Sequence, residues 1–215
     1  FYDEYATKCV ANGHTVDLNA IDSAPGAVSV EDIVRLSNTL GTEPWLTLPA
    51  NAHDTYMAEL ARFLKANLRP DIANVYVELG NELWHTGFAA GAYARDEALR
   101  AGQSTECWIV QRTRQMAQVM RAEFGSTTTF ELRVVVSSQA TSIAKTEAYV
   151  ACGFGDDIDS LGLAPYFNGY RSDMDSVDAV IAAMAADIAP IVALVAQHRA
   201  ALPAAFSLVA YEAGP

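Results

Sequence analysis

The chain has 215 residues, 51% of them apolar and 19% charged, enough to bury the core of one large domain and too apolar for a disordered tail. Fourteen basic residues against 26 acidic ones give a net charge of −12, which argues against a nucleic-acid partner, since that would need a basic face. No stretch reads as the ~18–20 uninterrupted apolar residues of a membrane span, so none is expected. Cys9, Cys107 and Cys152 are too few and too scattered for a disulfide scaffold or a zinc site, and three reduced thiols are expected. The chain opens on Phe1 without a basic-then-apolar leader, and it reads as a piece of a longer protein whose compartment stays open.

In chain order, the first ~28 residues are polar, aperiodic and broken by Gly13, Pro25 and Gly26, and read as a loop-rich lead-in. Ser29-Val30-Glu31-Asp32 has the form of a capping box, opening a helix with Ile33, Leu36 and Leu40 on its inner side and a stop at Gly41. Pro44–Pro49 is an apolar run too short for a helix, hence a strand. Asp54 or Thr55 then caps a helix carrying Tyr56, Leu60, Phe63, Leu64 and Leu68. A strand over 75–79 follows, then a long Gly/Ala-containing stretch over 85–107, then a helix over 108–124 with Ile109, Met116, Met120 and Phe124 inward. Strands are expected over 132–137 and 159–163. A long apolar helix opens at Asp175 or Ser176, with Pro190 set to kink or split it, and a last strand covers 207–211.

Strand–helix alternation without hairpin signals predicts parallel βαβ units. The spacing suits a (β/α)₈ TIM barrel, and no Gly-x-Gly-x-x-Gly turn follows any strand to support a doubly wound sheet. Five strands cannot close a barrel, so the expectation is an incomplete one, with residues 1–215 a single partial domain and the five strands neighbours in sequence order.

In such a barrel the reactive groups stand at the carboxyl ends of the strands. Those ends carry Asn51 and His53, then Asn81 and Glu82, Ser138 and Gln139, Tyr166 and Asn168, and finally Glu212. Two carboxylates 130 residues apart in sequence thus project from one face of the sheet, and paired carboxyls suit acetal hydrolysis, one protonating the leaving oxygen and the other attacking the anomeric carbon. Glu78, on the same side of its strand as Tyr76, Gly80 and Glu82, can point into the barrel as a buried carboxylate. The stretch 85–107 is longer than an ordinary βα loop and is expected to wall the groove beside Glu82. Trp45 reads as packing, His14 and His198 show no partners, and no His/Asp/Glu cluster has metal-ligand spacing, so neither metal nor cofactor is expected.

Three stretches, Pro44–Pro49, Val75–Trp84 and Tyr211–Gly214, together resemble clan A of the glycoside hydrolases, the retaining (β/α)₈ glycosidases, and within it a group of uncharacterised members. The resemblance covers residues 29 to 215 and implies strands three to seven. It implies Glu82 as general acid/base, Glu212 as nucleophile and Asn81 as the amide that binds the sugar 2-hydroxyl. It also implies Tyr166 as the hydroxyl that keeps the nucleophile ionised. Trp84, His85 and Asn51 complete the candidate substrate contacts, although His85 replaces the group's usual Asn and Ala213 its first Gly after the nucleophile. The expected activity is double-displacement hydrolysis of β-linked glycosides or polysaccharides, with carboxyls about 5–5.5 Å apart. An extracellular or periplasmic site is favoured for such a substrate. A non-catalytic carbohydrate-binding barrel is the alternative.

Overall fold

Five strands and six helices alternate along the chain in a computed structural model that describes residues 28–125, 129–167 and 174–214. The expected lead-in over 1–27 and the strand-end residue Asn168 lie outside the described residues. Helix α1 (Val30–Leu40) is capped by Ser29, whose hydroxyl accepts from Asp32 N–H, and ends at Gly41, where φ is 68°. Gly there avoids the left-handed penalty a Cβ would bring. Its inward residues are Val34 and Ser37, whereas Leu36 and Leu40 face outward, 59% and 63% exposed. Ile33 packs against the core as expected, so the buried stripe, with Val30, Val34 and Ser37, is turned only part-way from the predicted one.

Strands β1 (Trp45–Leu48), β2 (Asn74–Leu79), β3 (Glu131–Ser137), β4 (Ser160–Leu163) and β5 (Ser207–Ala210) form one parallel sheet in sequence order, as expected. Successive side chains alternate between its faces. One face carries Leu46, Leu48, Val75, Val77, Leu79, Val134, Val136, Leu161 and Leu163, all buried. Against it pack Met57, Leu60 and Leu64 of α2 (Asp54–Asn67) and Ile109, Met116 and Met120 of α4 (Thr105–Phe124). The register pairs Thr47 with Glu78, Glu78 with Val135, Val135 with Ser160 and Ser160 with Ser207, so the other face mixes polar residues with Val135 and the aromatic pair Trp45 and Tyr76.

Other elements differ from expectation as well. Asp54 does not cap α2: His53 holds the cap position, and the Asp54 carboxylate instead accepts from Arg112 at 3.0 Å and Gln115 at 2.8 Å, tying α2 to α4. Burial works upward on its pKa, but those hydrogen bonds outweigh it and hold Asp54 below the ordinary carboxylate value. The stretch 85–107 contains helix α3 (Ala89–Arg100), whose inner stripe is Gly91, Ala94 and Ala98. Such small residues give little apolar periodicity to read, yet Gly91 packs directly on the His85 carbonyl, where a Cβ would collide. Helix α5 (Ile143–Cys152), where no helix is expected, buries Thr146 and Tyr149, a stripe that does not register as apolar.

A disulfide joins Cys107, in the first turn of α4, to Cys152, the last residue of α5, so the expectation of three reduced thiols fails. The pairing spans 45 residues and brings the Cα atoms to 5.1 Å, a proximity that only the packing of α4 on α5 creates.

Helix α6 (Val177–Ala201) starts at Ser176, whose hydroxyl accepts from Ala179 N–H, and runs through Pro190 as one helix of 25 residues. That is ~37 Å of helix beside a β4 strand of ~13 Å, so it overhangs the sheet. Of its apolar residues, Val177, Ile181, Ile188 and Val192 are exposed. By length and composition α6 could cross a bilayer, with a window of mean hydropathy 2.3 that is 0% buried, contrary to the expectation that no stretch would qualify. Its two ends, however, join β4 and β5, which pair side by side from Ser160↔Ser207 to Leu163↔Ala210. A helix that returns the chain to the neighbouring parallel strand is a crossover connection.

Candidate functional site

Parallel strands deliver their carboxyl ends to one edge of the sheet, and the turns beyond them carry the site. After β2, Gly80 at φ 65° turns the chain over the buried Leu83 side chain, and a Cβ on Gly80 would stand 2.8 Å from Leu83 Cγ. Glu82, two residues on, also has positive φ, 47°, an uncommon backbone for a side-chain-bearing residue. After β5 the pairing continues, with Tyr211 N donating to Leu163 O at 3.1 Å and Phe167 N to Gly214 O at 2.9 Å. The ends of β4 and β5 are therefore held together as far as Tyr166 and Gly214, which form a parallel bridge.

Two tyrosine–carboxylate contacts stand at this edge. Tyr211 Oη donates to Glu82 Oε1 at 3.0 Å, and Tyr166 Oη donates to Glu212 Oε2. Burial, followed by the hydrogen bond to Glu82 and the charges of Glu82 and Glu78, raises the Tyr211 pKa above the ordinary tyrosine value, so it stays a donor.

A cleft of about 420 Å³ opens here. Glu82 and Trp84 line it from the turn after β2, Gln139, Ala140 and Thr141 from the turn after β3, Ala164 and Tyr166 from beyond β4, and Tyr211 from beyond β5. Its far wall is the middle of α6, with Asp187, Pro190, Ile191 and Leu194. The stretch 85–107, expected as the groove wall, contributes no lining residue among those described; the overhang of α6 takes that place.

On the side of β2 opposite Val77 and Leu79 lies Glu78, only 2% exposed, the buried carboxylate that strand alternation allows. Trp45 Nε1 donates to Glu78 Oε2 at 3.3 Å, and the Trp45 ring stacks on Tyr76 at 5.4 Å, so Trp45 packs, as expected, but against this carboxylate. Glu78 Oε1 has no hydrogen-bond partner, and Ser137 Oγ, which stands beside it and favours its charged form, makes no well-formed bond either. Burial, and then the charges of Glu82 and Glu212, push the Glu78 pKa to about 7 against the pull of Ser137 and Trp45. Glu82 and Glu212 thus both lie within electrostatic reach of Glu78.

Of the remaining sequence candidates, Trp84 lines the cleft, its ring 5.4 Å from that of His85. Asn81 is exposed in the same turn, and Asn51 is half-buried in the turn after β1. His85 points along the loop: its ring lies 4.6 Å from that of Phe88, tilted by 30°, and its Nδ1 accepts from Gly87 N–H at 3.0 Å. None of these last three lines the cleft. Among the described residues no group of His, Cys, Asp and Glu is arranged to hold a metal ion.

Sequence reading missed two contributors. Tyr211 appeared only as a motif letter beside Glu212, because nothing local says that its hydroxyl reaches a residue 129 positions away. His198 is 0% exposed and fully partnered, with Nδ1 2.8 Å from Thr146 Oγ1 and Nε2 donating to Ala140 O at 2.9 Å. It anchors α6 to the turn that lines the cleft.

Fold and site together define a class: a parallel α/β sheet with a pair of tyrosine-held carboxylates at its carboxyl edge. No known protein family matches the chain, and no curated protein matches it. Among solved structures it is similar to the GH51 arabinofuranosidase from Xanthomonas axonopodis pv. citri, at 16% identity and a TM-score of 0.60. The match covers 86% of this chain but 39% of that one, and it is a likeness of fold.

Proposed function

We propose that the chain is part of a (β/α)₈ barrel, strands three to seven with their helices, from a retaining O-glycoside hydrolase acting on β-linked glycosides or polysaccharides. The observation that carries this reading is the pair of hydrogen-bonded carboxylates, Glu82 with Tyr211 and Glu212 with Tyr166, at one edge of a parallel sheet. Glu212 attacks the anomeric carbon while Glu82 protonates the departing oxygen, giving a glycosyl–enzyme ester. Glu82, now a carboxylate, takes a proton from water, whose oxygen then displaces Glu212. The Tyr166 hydroxyl stabilises the ionised nucleophile by donating to Glu212 Oε2. Asn81 binds the sugar 2-hydroxyl, with Trp84, His85 and Asn51 as further sugar contacts. Neither metal nor cofactor takes part. The Cys107–Cys152 disulfide supports an extracellular or periplasmic location.

The test is turnover by full-length protein on a panel of aryl β-glycosides and polysaccharides, with Glu82→Gln and Glu212→Gln beside wild type. Each variant is expected to lose roughly 10²–10⁴-fold in kcat on substrates with poor leaving groups, and product released by wild type should keep its anomeric configuration. Glycan binding without turnover by wild type would instead establish the non-catalytic carbohydrate-binding barrel.

A further inference from the structure

We propose that Tyr211 is a positioning residue for Glu82, its hydroxyl holding that carboxyl in the orientation for proton transfer and so coupling the two strand ends that carry the carboxylates. The inference rests on the reading of Glu82 as the acid/base group.

Glu82 hangs from a turn residue at φ 47°, beyond the last sheet pairing of β2, so the sheet does not set the direction of its side chain. Tyr211 supplies what the turn lacks, a donor 3.0 Å from Glu82 Oε1. The tyrosine itself is firmly seated. Its backbone N–H is bonded to Leu163 O, and its ring lies over Gly162, where a Cβ would stand 3.2 Å from Tyr211 Cδ1 and 2.8 Å from Ser137 Oγ. Glycine at that position makes room for the ring. Trp84 Nε1, buried and without a hydrogen-bond partner, stands beside the same hydroxyl. A rigid aromatic arm with two torsions holds its oxygen in place better than a flexible polar chain would. When Glu82 has released its proton to the leaving group, the same hydroxyl donates to the carboxylate that remains.

The experiment uses full-length protein with Tyr211→Phe, Glu82→Gln and the double variant, assayed on a 2,4-dinitrophenyl glycoside and the matching phenyl glycoside. The dinitrophenolate leaves without protonation, so only the phenyl glycoside needs the acid. Tyr211→Phe is expected to lose roughly 10–100-fold in kcat/KM, which reports the first step alone, on the phenyl glycoside, the fold-change for one hydrogen bond to a charged group, and to keep most of its kcat/KM on the other. In the Glu82→Gln background Tyr211→Phe should add no further loss, and the unfolding midpoints of the four proteins should be non-additive. Equal losses on both glycosides, or additive midpoints, overturn the positioning role while leaving the glycosidase reading intact. Wild-type turnover that survives Glu82→Gln on the phenyl glycoside overturns the acid/base reading and this proposal with it, as does a wild type without turnover.

Discussion

Replacing Glu78 by glutamine isolates the energetics of the buried carboxyl. Burial together with the charges of Glu82 and Glu212 keeps that group protonated up to a pKa of about 7, whereas in the unfolded chain it ionises near 4.5. At ~1.4 kcal/mol per pH unit of displacement, the difference corresponds to about 3 kcal/mol. The folded pKa is the raised one. The stabilising contribution of the native proton is therefore complete below pH 4.5 and is lost as pH rises through about 7, above which the fold carries a charged, half-partnered carboxylate. Glutamine copies the protonated acid, keeps an acceptor for Trp45 Nε1 and offers an N–H toward Ser137. Denaturant unfolding of wild type and Glu78→Gln between pH 4.5 and 8.5 should show near-equal stability at the acid end. At the alkaline end the variant should gain up to about 3 kcal/mol. Every other titrating group is common to both proteins and cancels in the difference. In a Glu212→Gln background the alkaline gain should shrink, since one of the charges raising the pKa is gone. A stability difference that does not change with pH, or a variant less stable than wild type at pH 8.5, would refute the electrostatic account of Glu78.

Two further outcomes follow from local geometry. Gly80→Ala places a Cβ against the buried Leu83 side chain at a backbone φ of 65°, and should destabilise the fold by roughly 2–4 kcal/mol in chemical unfolding; a loss near zero would mean that the turn relaxes freely. Thiol titration of the denatured protein should find two more free thiols after reduction of the Cys107–Cys152 bond than before it, and Cys107→Ser should cost on the order of 2–4 kcal/mol by releasing a 45-residue loop.

Local patterning alone was sufficient for the strands. Each is a short apolar run bounded by breakers, and the observed limits of β1 to β5 fall within a residue of the expected ones at both ends. Strand–helix alternation without hairpin signals also indicated parallel strands, and with them the edge at which Glu82 and Glu212 emerge, whereas the sheet order was an expectation of the barrel reading that the register then met. Strand alternation likewise placed Glu78 inside. What stayed out of reach depended on which surfaces meet. A helix with apolar residues on two sides can bury either, and α1 buries Val34 rather than Leu36 because of its neighbours. The stripes of α3 and α5 are small or polar, so their burial is set by close approach and not by hydrophobicity. Helix α6 is apolar all round and looks like a core element, yet it is longer than the strand beside it and overhangs to become the cleft wall. The Cys107–Cys152 bond, the His198 anchor and the Tyr211–Glu82 hydrogen bond each join residues 45 to 129 positions apart. Contacts at that separation leave no periodic trace in the chain, because they arise only when the packing of helices on the sheet has brought their partners within bonding distance.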